Sequence, residues 1–403
     1  MKIRMLLLAL MAGLTLGMTS PVMAKTLSPA VYKKLLAVHE SYNNGAYSQA
    51  LKQVNALLAE KLSDYARAQA LHMSGAVRLA QENYTGALKA FSQAYQLKQL
   101  EKPRQLQLLH NIAQLSYQTE QWQRSLKNFS AWQQAGGKPG ANDYLMQAQA
   151  YSALKDWQKV IPAARQAIAL HASPPDAWYQ IQLVAHWRLK QFKQATDLLK
   201  VLVTRQPENA FFWQQLAYGY QQQNDDKSVL VTLRGAYVNG VLQSDKYVRW
   251  LAQLLIQEGS PQRAVEIIRE SLTEKRLKNN RKTQKMLVQA YLLAKDYQAA
   301  RPLLEMLAER TDSTLMYQQL AQVNMQLRRW RAAYQALGKA IAAAPDNAGQ
   351  LYIMQGMASL NNAQLDKARE SFMHASEYPS AQDSANNWLS YIETLQKETD
   401  NPA

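Results

Sequence analysis

The chain has 403 residues, a formal net charge of +16 and no cysteine. Missing thiols exclude disulfides, cysteine nucleophiles, Cys-based zinc sites and lipid attachment at an N-terminal cysteine. The positive balance favours anionic partners such as acidic protein segments, membrane head groups or cell-wall polymers.

The first element is MKIRMLLLALMAGLTLGMTSPVMA. A basic start at Lys2 and Arg4, an apolar run from Met5 to about Met18 and a small-residue ending at Ala24 predict a secretory signal peptide over 1–24, cleaved after Ala24. The run falls short of the ~20 apolar residues of a spanning helix, and no second stretch of that length follows. The expected product is an exported chain with no membrane insertion after cleavage, placed in the periplasm of a Gram-negative bacterium. Export makes nucleic acid an improbable partner. Loss of Lys2 and Arg4 takes the charge from +16 to +14.

Beyond the leader one motif recurs. NYTGALKAF at 83–91 sets Ala87 between Tyr84 and Phe91; aligning on that small residue picks out Ala50, Ala87, Ser125, Val160, Ala195, Val229, Ala264, Ala300, Ala333 and Ala368. Their spacings run from 33 to 38 residues, a period that means stacked helical hairpins rather than separate globular domains. Twelve residues before the small residue another small or apolar group recurs (Gly75, Ala113, Ala148, Ala217, Gly356), and sixteen before it a bulky one (Leu71, Leu109, Trp213, Tyr317). Each unit reads as two antiparallel helices joined by a short turn, such as QEN before Tyr84 or QEGS before Pro261. Repeats are expected to start near 31, 68, 106, 141, 176, 210, 245, 281, 314 and 349 and to fill 31–379.

Proline placement fits, with Pro162, Pro261 and Pro302 expected at or near the first turn of second helices and none mid-helix. QAGGKPG at 134–140 is the one Gly-rich joint, a loop or a hinge. Trp388, Tyr391, Ile392 and Leu395 stand at helical spacing. They predict a final helix over 380–397 that covers the last repeat's apolar face, leaving 398–403 as a disordered tail.

These residues resemble the tetratricopeptide repeat (TPR) family. The first-helix pattern is carried by Leu71, Ser74 and Gly75 and by Trp213, Leu216, Ala217 and Tyr220. The second-helix pattern is carried by Ala87, Phe91 and Ala94, and the closing proline by Pro207 and Pro345. Val160 and Val229 depart from the small residue, and most repeats lack the closing proline. The fold class implied is all-α: an α-solenoid, wound as a right-handed superhelix, of about ten hairpins plus a C-terminal capping helix.

Catalytic constellations are missing from the pattern. The six histidines are scattered with no HExxH spacing, and there is no GxSxG, P-loop or dinucleotide fingerprint. His39, His72 and His110 share a face of the first three repeats, but stacked helices are about 10 Å apart, too far for shared metal coordination. No enzyme activity, no cofactor and no metal site is expected.

What remains is binding surface. The TPR resemblance implies that five positions of each first helix face a concave groove. Across ten repeats these are fifty residues without one Asp or Glu, where composition alone would supply about four. The cations among them are Arg188, Lys246, Arg249, Lys282 and Lys285. With Phe211, Gln214, Tyr218, Gln253 and Gln289 they form the candidate partner-binding groove. Such a surface suits an acidic or extended peptide segment whose backbone amides meet glutamine side chains. It lacks the Lys/Asn combination of the carboxylate clamp found in some TPR domains.

The segment TLSPAVYKKLLAVHESYNNGAYSQALKQVNALL after the leader resembles the start of periplasmic TPR proteins associated with TonB-type energy-transduction systems. That resemblance implies a non-enzymatic adaptor contacting the TonB-ExbB-ExbD complex during iron or siderophore uptake. The competing expectation is a scaffold for anionic polysaccharide or peptidoglycan in envelope biogenesis or export.

Overall fold

The computed structural model describes residues 27–400. The expected signal peptide, 1–24, lies outside the described residues, as do 401–403. Among the described residues there are 21 α-helices and no strand, and no helix is long and apolar enough to cross a membrane.

The chain divides into two compact units between Leu198 and Leu199. The first holds α1 (Pro29–Asn43), α2 (Tyr47–Leu58), α3 (Asp64–Ala80), α4 (Tyr84–Gln96), α5 (Lys102–Gln118), α6 (Trp122–Gln134), α7 (Ala141–Ala153), α8 (Trp157–Leu170) and α9 (Asp176–Arg188). The division falls within α10 (Phe192–Arg205). The second unit holds α11 (Ala210–Gln221), α12 (Asp226–Val238), α13 (Asp245–Gln257), α14 (Pro261–Thr273), α15 (Arg281–Leu293) and α16 (Tyr297–Thr311). It continues through α17 (Thr314–Gln326), α18 (Trp330–Ala343), α19 (Gly349–Asn361), α20 (Leu365–Ser376) and α21 (Gln382–Asp400). Within each unit successive helices pack on one another, giving all-α stacks of TPR-type hairpins, closed at the C-terminal end by α21 on α20.

The ten aligned small residues explain the packing. All are buried, none more than 1 % exposed, so each marks the point where the two helices of a hairpin approach most closely. Where the small residue is polar it is satisfied: Ser125 Oγ donates to the Ala113 carbonyl of the facing helix at 2.8 Å. A Cβ on Gly75 would lie 2.4 Å from the Phe91 ring, and one on Gly356 2.5 Å from the Phe372 ring. Glycine on the first helix thus makes room for a phenylalanine on the second. Overpacking at such a contact costs typically about 1–3 kcal/mol.

Every hairpin turns in the same way. The residue two before each second helix has positive φ: Gly45, Glu82, Glu120, Lys155, Lys190, Asn224, Gly259, Lys295, Arg328 and Ala363, with φ from 55° to 74°. Around Glu82, its N–H donates to Leu79 O at 2.9 Å and the Asn83 N–H reaches back to Arg78 O at 2.9 Å. That pair of bonds is a Schellman closure, which satisfies the last carbonyls of the first helix. The residue after the left-handed one then serves as the N-cap of the second helix, as Asn83 Oδ1 does by accepting the Gly86 N–H at 2.9 Å. Only two of the ten are glycine; lysine or arginine at four others meets the negative end of the preceding helix.

Two expectations need correction. Pro162 and Pro302 sit inside α8 and α16, each as the sixth residue, beyond the first turn where a missing N–H is harmless. Each forgoes the bond to the residue four before it, and tertiary packing of the hairpin absorbs the loss. The final helix runs Gln382–Asp400, so residues 398–400 belong to it rather than to a tail. Helices α3 and α5 carry an extra N-terminal turn ahead of the repeat starts expected near 68 and 106, α3 because Ser63 Oγ accepts the Ala66 N–H at 3.3 Å as its cap. The Gly-rich joint is a packed loop: a Cβ on Gly137 would strike the Trp132 ring at 2.3 Å, and Asp143 Oδ2 accepts the Gly140 N–H at 2.9 Å.

Candidate partner-binding face

Odd-numbered helices also touch one another within each unit, α1 with α3, α5 with α7, α7 with α9, α13 with α15 and α19 with α21. They form the crowded inner row of each stack. In the second unit their apolar sides are buried through residues such as Phe212 and Leu216 on α11, Leu251 and Leu255 on α13, Leu287 and Tyr291 on α15 and Met316 and Leu320 on α17. A helix buried on one side presents its remaining positions at i, i+3 and i+7 spacing to solvent.

Nine of the ten sequence-selected residues fall in this unit and in one register. Phe211, Lys246 and Lys282 are the second residues of α11, α13 and α15; Gln214, Arg249 and Lys285 are the fifth; Tyr218, Gln253 and Gln289 are the ninth. Phe211, Tyr218, Lys246, Lys282, Lys285, Gln253 and Gln289 are exposed, and Gln214 and Arg249 are half-buried. Arg188 belongs to the first unit, where its guanidinium lies 5.8 Å from the Trp157 ring centroid.

Arg249 is not an open cation. Its Nε donates to Asp245 Oδ2 at 2.7 Å and its Nη2 to Asp245 Oδ1 at 3.0 Å. The same Nη2 reaches Thr283 Oγ1 on α15 at 2.5 Å, and Thr283 passes the bond on to Lys278 O at 2.6 Å. Arg249's hydrogen bond holds the Asp245 carboxyl below the usual carboxylate range, against a smaller opposing effect of burial. Arg249 therefore ties α13 to α15 and its charge is met by Asp245. The acid-free reading of the groove missed Asp245 because it stands one position outside the mapped set. The Asp-to-Arg spacing of four on one helix was the available signal.

The open positive charge is accordingly Lys246, Lys282 and Lys285. Lys246 Nζ sits 5.2 Å from the Tyr247 ring centroid. Arg281 and Lys282 occupy the first turn of α15, which contains no acid. Cations at that end face the positive pole of the helix, an arrangement disfavoured by about 0.3–1 kcal/mol each. Arg276, from the same basic stretch, points elsewhere: it lies over the Tyr237 ring at 4.9 Å and pairs with Glu270 and Glu274.

The first unit holds a different feature. Tyr32, His39, Tyr65, Gln69, His72 and Arg104 line a cavity of about 80 Å³. Arg104 Nη1 donates to Gln69 Oε1 at 2.9 Å, and Gln69 Nε2 to Tyr65 Oη at 3.0 Å. Burial, reinforced by Arg104, pushes the His72 imidazole down to about 4, so it is neutral at pH 7. His110 is occupied separately, 2.7 Å from Asp143 and stacked on Trp132 with ring centroids 4.1 Å apart. Among the described residues no three His, Asp or Glu side chains come together as a metal would require.

No protein-family model matches this chain, and no curated protein does. Solved structures similar to it include YrrB, described as a TPR protein with an unusual peptide-binding site, at 12% identity over 48% of this chain and 97% of that one, TM-score 0.38. A tetratricopeptide repeat protein from Parabacteroides merdae ATCC 43184 is similar at 10% identity over 65% and 98%, TM-score 0.36. MamA from Desulfovibrio magneticus RS-1 is similar at 19% identity over 43% and 97%, TM-score 0.35. The fold assignment rests on the helix pairing described above.

Proposed function

We propose that this chain is a non-enzymatic periplasmic adaptor whose second unit holds an acidic, extended segment of a protein partner across α11, α13, α15 and α17. The observation that carries this reading is the placing of Lys246 and Lys282 at equivalent exposed positions of adjoining helices, with Lys285 one turn further along α15. A bound carboxylate would offset the repulsion Lys282 experiences at the head of α15. The exposed Gln253, Gln289 and Gln322 supply amides for the ligand backbone. Steering by the positive field speeds encounter and weakens with salt. The N-terminal resemblance makes the TonB-ExbB-ExbD complex the first partner to test.

The test is capture from a periplasmic extract by the mature chain and by its Lys246→Glu/Lys282→Glu variant. Both lysines are exposed, so circular dichroism should be unchanged while a salt-sensitive protein partner is lost. Equal capture by the variant removes the reading. Retention on isolated sacculi with no protein bound would replace it with the anionic-polymer scaffold.

A further inference from the structure

The outermost row of the same face has an order of its own. Reading the second residue of each odd helix along the stack gives Phe211, Lys246, Lys282, Leu315 and Gln350. Phe211 is 54 % exposed and Leu315 57 %, and both lysines are exposed. A single exposed apolar side chain is ordinary. Two that flank a pair of lysines in one register are a pattern, and the equivalent residues of the first unit, Tyr32, Gln69, Gln107, Asn142 and Ala177, show no such order. The row ends at Gln350, whose Nε2 donates to Ser380 O at 3.0 Å. The ninth-residue row is different in kind: Tyr218, Gln253, Gln289 and Gln322 are dominated by amides that meet any peptide backbone alike.

Resting on the reading above, we infer that this face selects a peptide by sequence, through the order apolar, acidic, acidic, apolar at every third residue. The spacing follows from two lengths. The lysine-bearing helices α13 and α15 touch; packed helices are separated by roughly 8–10 Å and an extended chain advances about 3.3 Å per residue, so three residues span α13 to α15, and the same step is extended to α11 and α17. Phe211 and Leu315 then each cover an apolar side chain, and Lys246 and Lys282 each meet a carboxylate. Apolar ends fix the register that charge alone leaves sliding, since long-range attraction carries little positional information.

The experiment uses the mature full-length chain and fluorescein-labelled ten-residue peptides in anisotropy titrations. One peptide has Leu at positions one and ten, Glu at four and seven and Ser elsewhere. A second has the same composition with both Glu adjacent at one end. A third keeps the Glu spacing and replaces both Leu with Ser. The expected result is at least tenfold tighter binding of the first than of either control, with Phe211→Ala and Leu315→Ala each abolishing that advantage while leaving the third peptide's weak binding unchanged. Equal affinity for the first and second peptides overturns the sequence-reading row but leaves the acidic-segment reading standing. No salt-sensitive binding of any of the three overturns both.

Discussion

His72 offers a stringent check on the packing of the first unit. It is 7 % exposed on α3, its ring 5.8 Å from that of Phe91 and lining the cavity that Arg104 also lines. Burial is the larger cause and the Arg104 charge the smaller; together they lower its pKa to about 4. The unfolded chain protonates this imidazole near 6.5, whereas the folded chain holds it neutral until pH falls to about 4. The group's contribution is therefore complete above pH 6.5 and is lost as acid binds preferentially to the unfolded state. Each pKa unit is worth about 1.4 kcal/mol, so the loss reaches about 2 kcal/mol at pH 5 and about 3 kcal/mol at pH 4. Urea unfolding of the mature chain and of His72→Phe, followed by circular dichroism between pH 7 and 4.5, isolates this contribution from that of the other histidines. The variant should lose less stability over that interval, by an amount between about 2 and 3 kcal/mol. Parallel pH profiles would refute the argument, because they would mean that His72 is protonated in the folded protein as readily as in the unfolded one.

Two further outcomes follow from the turns and from the clasp. Lys155 holds φ at 60°, a conformation that disfavours a side chain by about 1–2 kcal/mol. Lys155→Gly should raise the urea midpoint by an amount worth about 0.5–1 kcal/mol, and an unchanged or lower midpoint would show that the lysine's charge at the helix end outweighs the strain. Arg249→Met should destabilise the second unit by roughly 1 kcal/mol through loss of the Asp245 and Thr283 bonds. It should leave the salt dependence of partner binding intact; a loss of affinity as large as that of the Lys246→Glu/Lys282→Glu variant would return Arg249 to the ligand surface.

The hairpin array was legible because its signal is volumetric. A residue squeezed between two helix backbones has to be small, so Ala87, Ala264 and Ala333 repeat at a fixed period whatever surrounds them, and all three are fully buried. The turns were less readable. Glu82, Lys155 and Arg328 take up a left-handed conformation that their side chains do not advertise; the Schellman bonds and the packing on either side impose it. Pro162 and Pro302 misled for a related reason, since a hairpin packed on both sides tolerates a missing bond that an isolated helix would not. On the candidate face, the lysines could be found by laying the groove positions implied by the TPR resemblance on the sequence, but the neutralisation of Arg249 depends on Asp245 and on Thr283 of the next first helix, 34 residues away. Likewise, the significance of Phe211 and Leu315 emerges only when consecutive helices are laid side by side.

The Arg249 clasp has a mechanical corollary. Arrays in which each hairpin leans only on its neighbours deform by small slips spread over many contacts, much as a spring lengthens. A guanidinium chelated by Asp245 and bonded to Thr283 rivets one coil of that spring to the next, at the level of the two lysines. Whatever give the second unit has is then pushed outward to the α11 and α17 sides, so a peptide held as proposed would meet a mismatch in length at its ends and not at its middle.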